Sequence, residues 1–137
     1  MALQIPDKFT IKYLKENINN SEWAEYVILH CETILDNLTE CPFEEACLAL
    51  SYSLSIWVGG KEKTEKTKRA NDLVIRVSRM GVNKLLKDFS YNRISYPYFC
   101  EKQGDLLTKC AVGLINVGRP IAALNILGTA EKSFEEL

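Results

Sequence analysis

Apolar residues recur every three to four positions along most of the 137-residue chain, and Gly, Pro or Asn residues lie between the periodic segments. This spacing places apolar side chains on one face of a helix, whereas no segment shows the alternation that is typical of a half-buried strand. The pattern predicts about six helices joined by turns. We therefore expect residues 1–137 to form a single all-α domain, in which antiparallel helices build a bundle or a stack of helical hairpins.

Turn-forming residues indicate where the first two helices begin. Pro6 and Asp7 are expected to open the first helix, with Phe9 on its apolar face. Asn20 or Ser21 is expected to cap the second helix, because their side chains accept hydrogen bonds from free backbone N–H groups. The apolar stripe of this second helix consists of Trp23, Tyr26, Val27, His30, Ile34 and Leu38.

Two further helices are predicted in the middle of the chain. Residues 43–58 are apolar or small on all sides, which predicts a central, buried helix that ends at Gly59 and Gly60. The next helix extends to about Phe89, and apolar positions cover two of its sides. Its remaining polar line consists of Arg69, Asp72, Arg76, Arg79, Asn83 and Lys87. At a rise of 1.5 Å per residue, this line is about 27 Å long.

The end of the chain is predicted to form a helical hairpin. Pro97 disfavours a helical conformation at Tyr96, so we expect the fifth helix at about 98–117. Gly118 separates it from a sixth helix at about 120–136.

This hairpin has the length of a known repeat. Residues 104–137 span 34 positions, and small residues lie where the two helices would approach closely, at Ala111, Ala123 and Ala130. In these respects the segment resembles one tetratricopeptide repeat. The resemblance implies a protein–protein scaffold. It also implies either that the first four helices act as neighbours of the hairpin or that the chain is the N-terminal part of a longer helical solenoid.

Charge is distributed unevenly along the chain. Residues 1–60 contain three Lys and nine Asp or Glu, a net charge of −6, whereas residues 61–93 contain ten Lys or Arg and four Asp or Glu, a net charge of +6. Residues 94–137 are close to neutral at −1. Either the acidic and basic blocks complement each other inside the fold, or the basic block faces an anionic partner.

The cysteines and the start of the chain indicate a cellular location. Five cysteines at irregular spacings favour buried, reduced thiols over a disulfide framework. The first residues lack the basic and apolar segments of a signal peptide, and no apolar run has the length of a membrane span. We therefore expect an intracellular protein, cytoplasmic or nuclear, without membrane association.

The reactive residues argue against an enzyme or a metal site. The single histidine, His30, lies on an apolar stripe, where we expect a core or boundary residue. Its neighbour Cys31 points about 100° away around a helix, which is poor geometry for a nucleophile and its base. The paired spacing of zinc ligands is missing as well. We expect no catalytic residue, no cofactor and no bound metal.

The remaining candidates are binding residues. The basic line of the fourth helix is followed by an aromatic segment, residues 90–99. Aromatic residues and Arg are enriched at protein interfaces, and the same residue types stack on single-stranded bases. The candidate partner-binding residues are Arg69, Arg76, Arg79, Lys87, Tyr91, Arg93, Tyr96 and Tyr98.

These residues predict a non-enzymatic protein-interaction or scaffold module, whose protein partner has an acidic and apolar surface. The alternative is a small RNA-binding protein, for example of viral type, that uses the same residues on phosphates and bases. A third interpretation is self-association through an apolar stripe that includes Val112, Ile115 and Ile121. The sequence leaves these alternatives open.

Overall fold

Six α-helices account for most of residues 3–137, the part of the chain that the computed structural model describes. Met1 and Ala2, the start of the segment considered for a signal peptide, lie outside the described residues. The helices are α1 (Ile11–Glu16), α2 (Ser21–Asp36), α3 (Phe43–Val58), α4 (Glu65–Ser90), α5 (Tyr96–Asn116) and α6 (Pro120–Glu135). The predicted all-α fold is therefore confirmed.

The helices pack mainly on their neighbours in sequence. α3 is central, because it contacts α1, α2, α4 and α5. α5 lies against both α3 and α4, and α6 packs against α5 alone among the described helices. Each helix from α2 to α6 contacts its neighbour along the chain, and α4, the longest helix, packs against α2, α3 and α5.

Glycines allow the closest contacts between these helices. At Gly81 of α4, an added Cβ atom would lie 3.0 Å from Cys47 Cβ on α3 and 2.9 Å from Leu106 Cδ1 on α5. At Gly113 of α5, it would lie 2.9 Å from Ile75 Cγ1 on α4. Ordinary carbon–carbon contacts are about 3.5–4.0 Å, so only glycine fits both positions without displacement of a neighbour.

The first helix is shorter than predicted. Thr10 caps α1 with its side chain, and Phe9 precedes the helix. The Phe9 N–H donates to the Asn37 carbonyl at 2.8 Å, and the Phe9 carbonyl accepts from the Thr39 N–H at 2.9 Å. The prediction that Phe9 belongs to the first helix was therefore wrong, because this pairing with the segment after α2 holds its backbone in a strand-like bridge.

His30 lies at a kink in α2, on the exposed side of the helix. His30 has non-helical backbone angles, φ −132° and ψ 29°, and the buried positions that follow it are Cys31 and Ile34. His30 is exposed, with its ring centroid 4.5 Å from that of Tyr26. The prediction of a core or boundary histidine was wrong, because the buried face of α2 passes through Val27, Cys31 and Ile34 and leaves His30 exposed.

α5 begins earlier than predicted. Ser95 caps it by accepting a hydrogen bond from the Tyr98 N–H at 3.3 Å, and Tyr96 is the first helical residue. Pro97 does not interrupt the helix, because N–H groups in the first turn have no intrahelical acceptor and the missing donor costs nothing there.

Candidate partner-binding surface

The sequence of α4 separates a buried side from an exposed basic side. A capping box at Thr64 fixes where the helix begins. Ala70, Val74, Val77 and Leu85 are buried against the other helices. The opposite side is exposed and carries the four cations of the predicted line, which we call the basic face: Arg69, Arg76, Arg79 and Lys87.

A groove of about 600 Å³ lies between α2 and α4. Its apolar residues are Ile28, Leu29 and Leu73. Leu29 is 64% exposed, whereas Ile28 beside it is buried. The charged residues of this α2–α4 groove are Glu65, Lys66, Lys68, Arg69, Asp72 and Arg76. The groove therefore combines an apolar patch with a charged rim.

Two ion pairs connect α2 to α4 at this groove. Glu25 pairs with Lys66, and Glu32 pairs with Arg76. The hydrogen bond from Arg76 to Glu32, followed by the charge of that carboxylate, raises the pKa of the guanidinium. The acidic and basic blocks of the sequence therefore complement each other in part inside the fold, which was one of the two alternatives for the charge pattern.

A second depression, about 430 Å³ in volume, lies between the middle of α4 and the turn that joins α5 to α6. We call it the arginine hollow, because Arg76, Arg79 and Arg119 all line it. Ile75, Met80 and Val117 add half-buried apolar surface. Sequence reasoning missed Arg119, since a single residue in a turn belongs to no periodic pattern.

The basic face is the ridge between these two depressions. Asp72 and Arg76 line both of them. Among residues 3–137, no carboxylate lies within 4.0 Å of the cationic groups of Arg69, Arg79 and Lys87. Within this part of the chain, three of the four cations therefore have no ion-pair partner.

Tyr91 and Arg93 lie at the end of the basic face. Tyr91 follows Lys87 by about one turn and is 63% exposed, and the Arg93 guanidinium lies 5.1 Å from the Tyr91 ring centroid. Arg93 and Lys84 donate to Asp88 Oδ1 at 3.4 and 3.0 Å. Burial raises the pKa of Asp88, but the hydrogen bonds and charges of these two cations outweigh it, so the pKa is lowered. Asp88 thus holds Arg93 beside Tyr91.

The other two candidate tyrosines have different surroundings. Tyr96 is exposed, and its ring centroid lies 5.6 Å from that of Phe89 and 6.5 Å from that of Phe99. Tyr98 is half-buried, and its hydroxyl donates to Glu44 Oε1 at 2.8 Å. Burial and this carboxylate raise the pKa of Tyr98. Tyr98 therefore faces α3 rather than the basic face of α4.

The remaining candidates are dispersed. Ile115 and Ile121 are exposed, and Val112 is half-buried. All five cysteines are free thiols, of which only Cys41 is not buried. Among residues 3–137, no group of three or more His, Cys, Asp or Glu side chains is arranged to hold a metal ion.

Comparison with known proteins returns no similarity: no family model, no curated protein and no solved structure matches the chain. The resemblance of residues 104–137 to a tetratricopeptide repeat therefore stays a prediction. None of the described helices has the length and apolar composition needed to cross a membrane.

Proposed function

We propose that this chain is a protein-interaction module that binds an acidic and apolar segment of a partner through the basic face of α4. The observation that carries the proposal is the position of that face, an exposed ridge of cations with a partly apolar depression on each side. Guanidinium groups form charge-assisted hydrogen bonds with carboxylates, and apolar depressions accept aliphatic side chains. The module acts by binding and performs no catalytic step.

The spacing of the unpaired cations indicates the length of the partner segment. Arg69 and Arg79 are ten positions apart on one helix, or about 15 Å, and Lys87 extends the face to about 27 Å. A helical partner segment of about three to five turns matches this length. Such a segment would place carboxylates along one edge and aliphatic side chains in the neighbouring depression.

Tyr91 and Tyr96 supply aromatic surface near the end of the same helix, and Arg93 keeps the first of these rings in place. Exposed aromatic rings beside arginine are typical anchor residues of protein interfaces. Tyr98 lies only at the edge of the proposed surface, because its hydroxyl already donates a hydrogen bond to Glu44.

The hairpin of α5 and α6 supports a scaffold role. Ala111, Ala123 and Ala130 are all buried, in keeping with close contact between the two helices. We propose that this hairpin is tetratricopeptide-like and presents α4 as part of a helical stack.

Fluorescence anisotropy tests the proposed binding with defined probes. The probes are a labelled helical peptide with leucine on one face and glutamate on its flanks, a copy with lysine in place of glutamate, and labelled single-stranded RNA. We expect binding of the glutamate peptide that weakens as salt is raised, because exposed charges are screened. The lysine peptide and the RNA are expected not to bind.

The triple variant R69Q/R79Q/K87Q tests the location of the surface. We expect it to lower affinity for the glutamate peptide by about tenfold or more. The control K12Q/K15Q/K132Q removes the same number of positive charges from exposed positions elsewhere and should leave affinity nearly unchanged. An equal loss in both variants, or no binding of the glutamate peptide, would overturn the proposal. Salt-sensitive RNA binding that only R69Q/R79Q/K87Q abolishes would replace it with the nucleic-acid alternative.

A further inference from the structure

One member of the basic face is already occupied by a carboxylate of this chain. Glu32 of α2 pairs with Arg76, and their side chains are 72% and 55% exposed. A carboxylate on an arginine of α4 is the contact that the proposed function assigns to the partner. Because exposed ion pairs are weak, a competing carboxylate displaces Glu32 at a cost of less than about fivefold in affinity.

Arg76 lies where the two depressions meet, since it lines both the α2–α4 groove and the arginine hollow. Asp72 also lines both, so a partner segment that extends from one depression into the other passes over Asp72 and Arg76. While Glu32 is in place, the positive charge of Arg76 is neutralised at this crossing point.

We propose that Glu32 is an internal competitor: the partner segment places its own carboxylate on Arg76, displaces Glu32, and inserts a neighbouring aliphatic side chain against Leu29 in the α2–α4 groove. This inference rests on the proposed function and identifies the occupant as an acidic segment of a protein. α2 thereby lowers the affinity of the free module for acidic segments. Only segments that combine a carboxylate with an adjacent aliphatic residue recover the lost contact.

The groove supplies the second half of this recognition. Leu29 lies three positions before Glu32 on α2, and the kink at His30 lies between them. Leu29 is largely exposed although Ile28 beside it is buried. Leu29 and Arg76 both line the α2–α4 groove, so one partner segment can place a carboxylate on Arg76 and an aliphatic side chain against Leu29.

The variant E32Q tests the competition with the same glutamate peptide. It keeps the side-chain shape and removes the competing charge, so we expect affinity to rise about two- to fivefold. The control D36N removes one negative charge four positions further along α2, and Asp36 has no ion pair among residues 3–137. It should leave affinity nearly unchanged. The gain from E32Q should also vanish in the background of R76Q.

A matched leucine pair tests the groove. Leu29 and Leu124 are 64% and 67% exposed, on α2 and α6 respectively. We expect L29S to lower affinity about threefold or more and L124S to have no effect, with thermal unfolding by circular dichroism to confirm that each variant is folded. Equal effects of the two serine variants would overturn the role of the groove.

The outcomes separate this inference from the proposed function. If the peptide binds and R69Q/R79Q/K87Q abolishes binding while E32Q has no effect or weakens it, the internal competition is wrong and the proposed function stands. Equal gains from E32Q and D36N would show an effect of net charge alone and would likewise overturn the competition. If neither wild type nor E32Q binds the peptide, both proposals are wrong.

Discussion

Replacing Gly81 with alanine tests the close approach of α3, α4 and α5 that holds the basic face in position. The new methyl group would lie 2.9 Å from Leu106 Cδ1 and 3.0 Å from Cys47 Cβ, about 0.5–1 Å inside an ordinary carbon–carbon contact. Overpacking of this kind costs about 1–3 kcal/mol. Alanine recovers about 1 kcal/mol of helix propensity relative to glycine. We therefore expect Gly81→Ala to lower the free energy of unfolding by up to about 2 kcal/mol.

Gly128→Ala is the matched control for this prediction. Gly128 lies within α6, and an added Cβ there would meet no atom within 4 Å. The same substitution should raise the free energy of unfolding by about 1 kcal/mol through helix propensity alone. The measurement is urea unfolding followed by far-UV circular dichroism, with the two midpoints compared at a common slope. If Gly81→Ala stabilises the protein as much as Gly128→Ala, the three helices do not approach each other as closely as described.

Three further predictions address side chains around the site. Tyr98→Phe should cost about 1–3 kcal/mol in urea unfolding, because it leaves the buried Glu44 carboxylate without its donor, whereas Tyr91→Phe should be nearly neutral. Asp88→Asn should lower the free energy of unfolding at neutral pH, because the ionised Asp88 stabilises the folded state. This stabilisation is fully present above the unfolded pKa of about 3.9 and is lost as pH falls through the lowered folded pKa. A difference in the free energy of unfolding that persists in strong acid would contradict this. Burial, followed by nearby carboxylates, raises the pKa of Cys41 to about 11, so its alkylation rate, followed by mass spectrometry, should rise steadily between pH 8 and pH 10, and a plateau near pH 8.5 would contradict that.

Periodic elements of this protein could be predicted from the sequence. The apolar pattern of α4 repeats over about five turns, from Ala70 to Phe89, and the helix ends at Ser90, one residue beyond the predicted Phe89. Its basic side is exposed throughout, as the spacing of Arg69 to Lys87 indicates. In a long amphipathic helix the apolar period repeats many times, so one irregular residue does not hide which face is buried.

Contacts between distant positions were not predictable in this way. The bridge between Phe9 and the segment after α2, and the hydrogen bond between Tyr98 and Glu44, join residues with no shared pattern. Arg119 reaches the arginine hollow only because the α5–α6 turn is placed beside α4. The kink at His30 has no counterpart in the apolar pattern of α2 either. The basic half of the candidate surface was therefore visible in the sequence, whereas the depressions beside it were not.

The order in which the helices pack also determines how the protein opens. Among the described helices, α6 packs against α5 alone, whereas α3 contacts four others. We therefore expect the amides of α6 to exchange through small local openings, and those of α3 only when the whole domain unfolds. Most helix pairs in contact are also close neighbours in sequence, which keeps the contact order low and favours rapid folding. The structure is therefore most persistent around α3 and α4 and least persistent at its C-terminal helix.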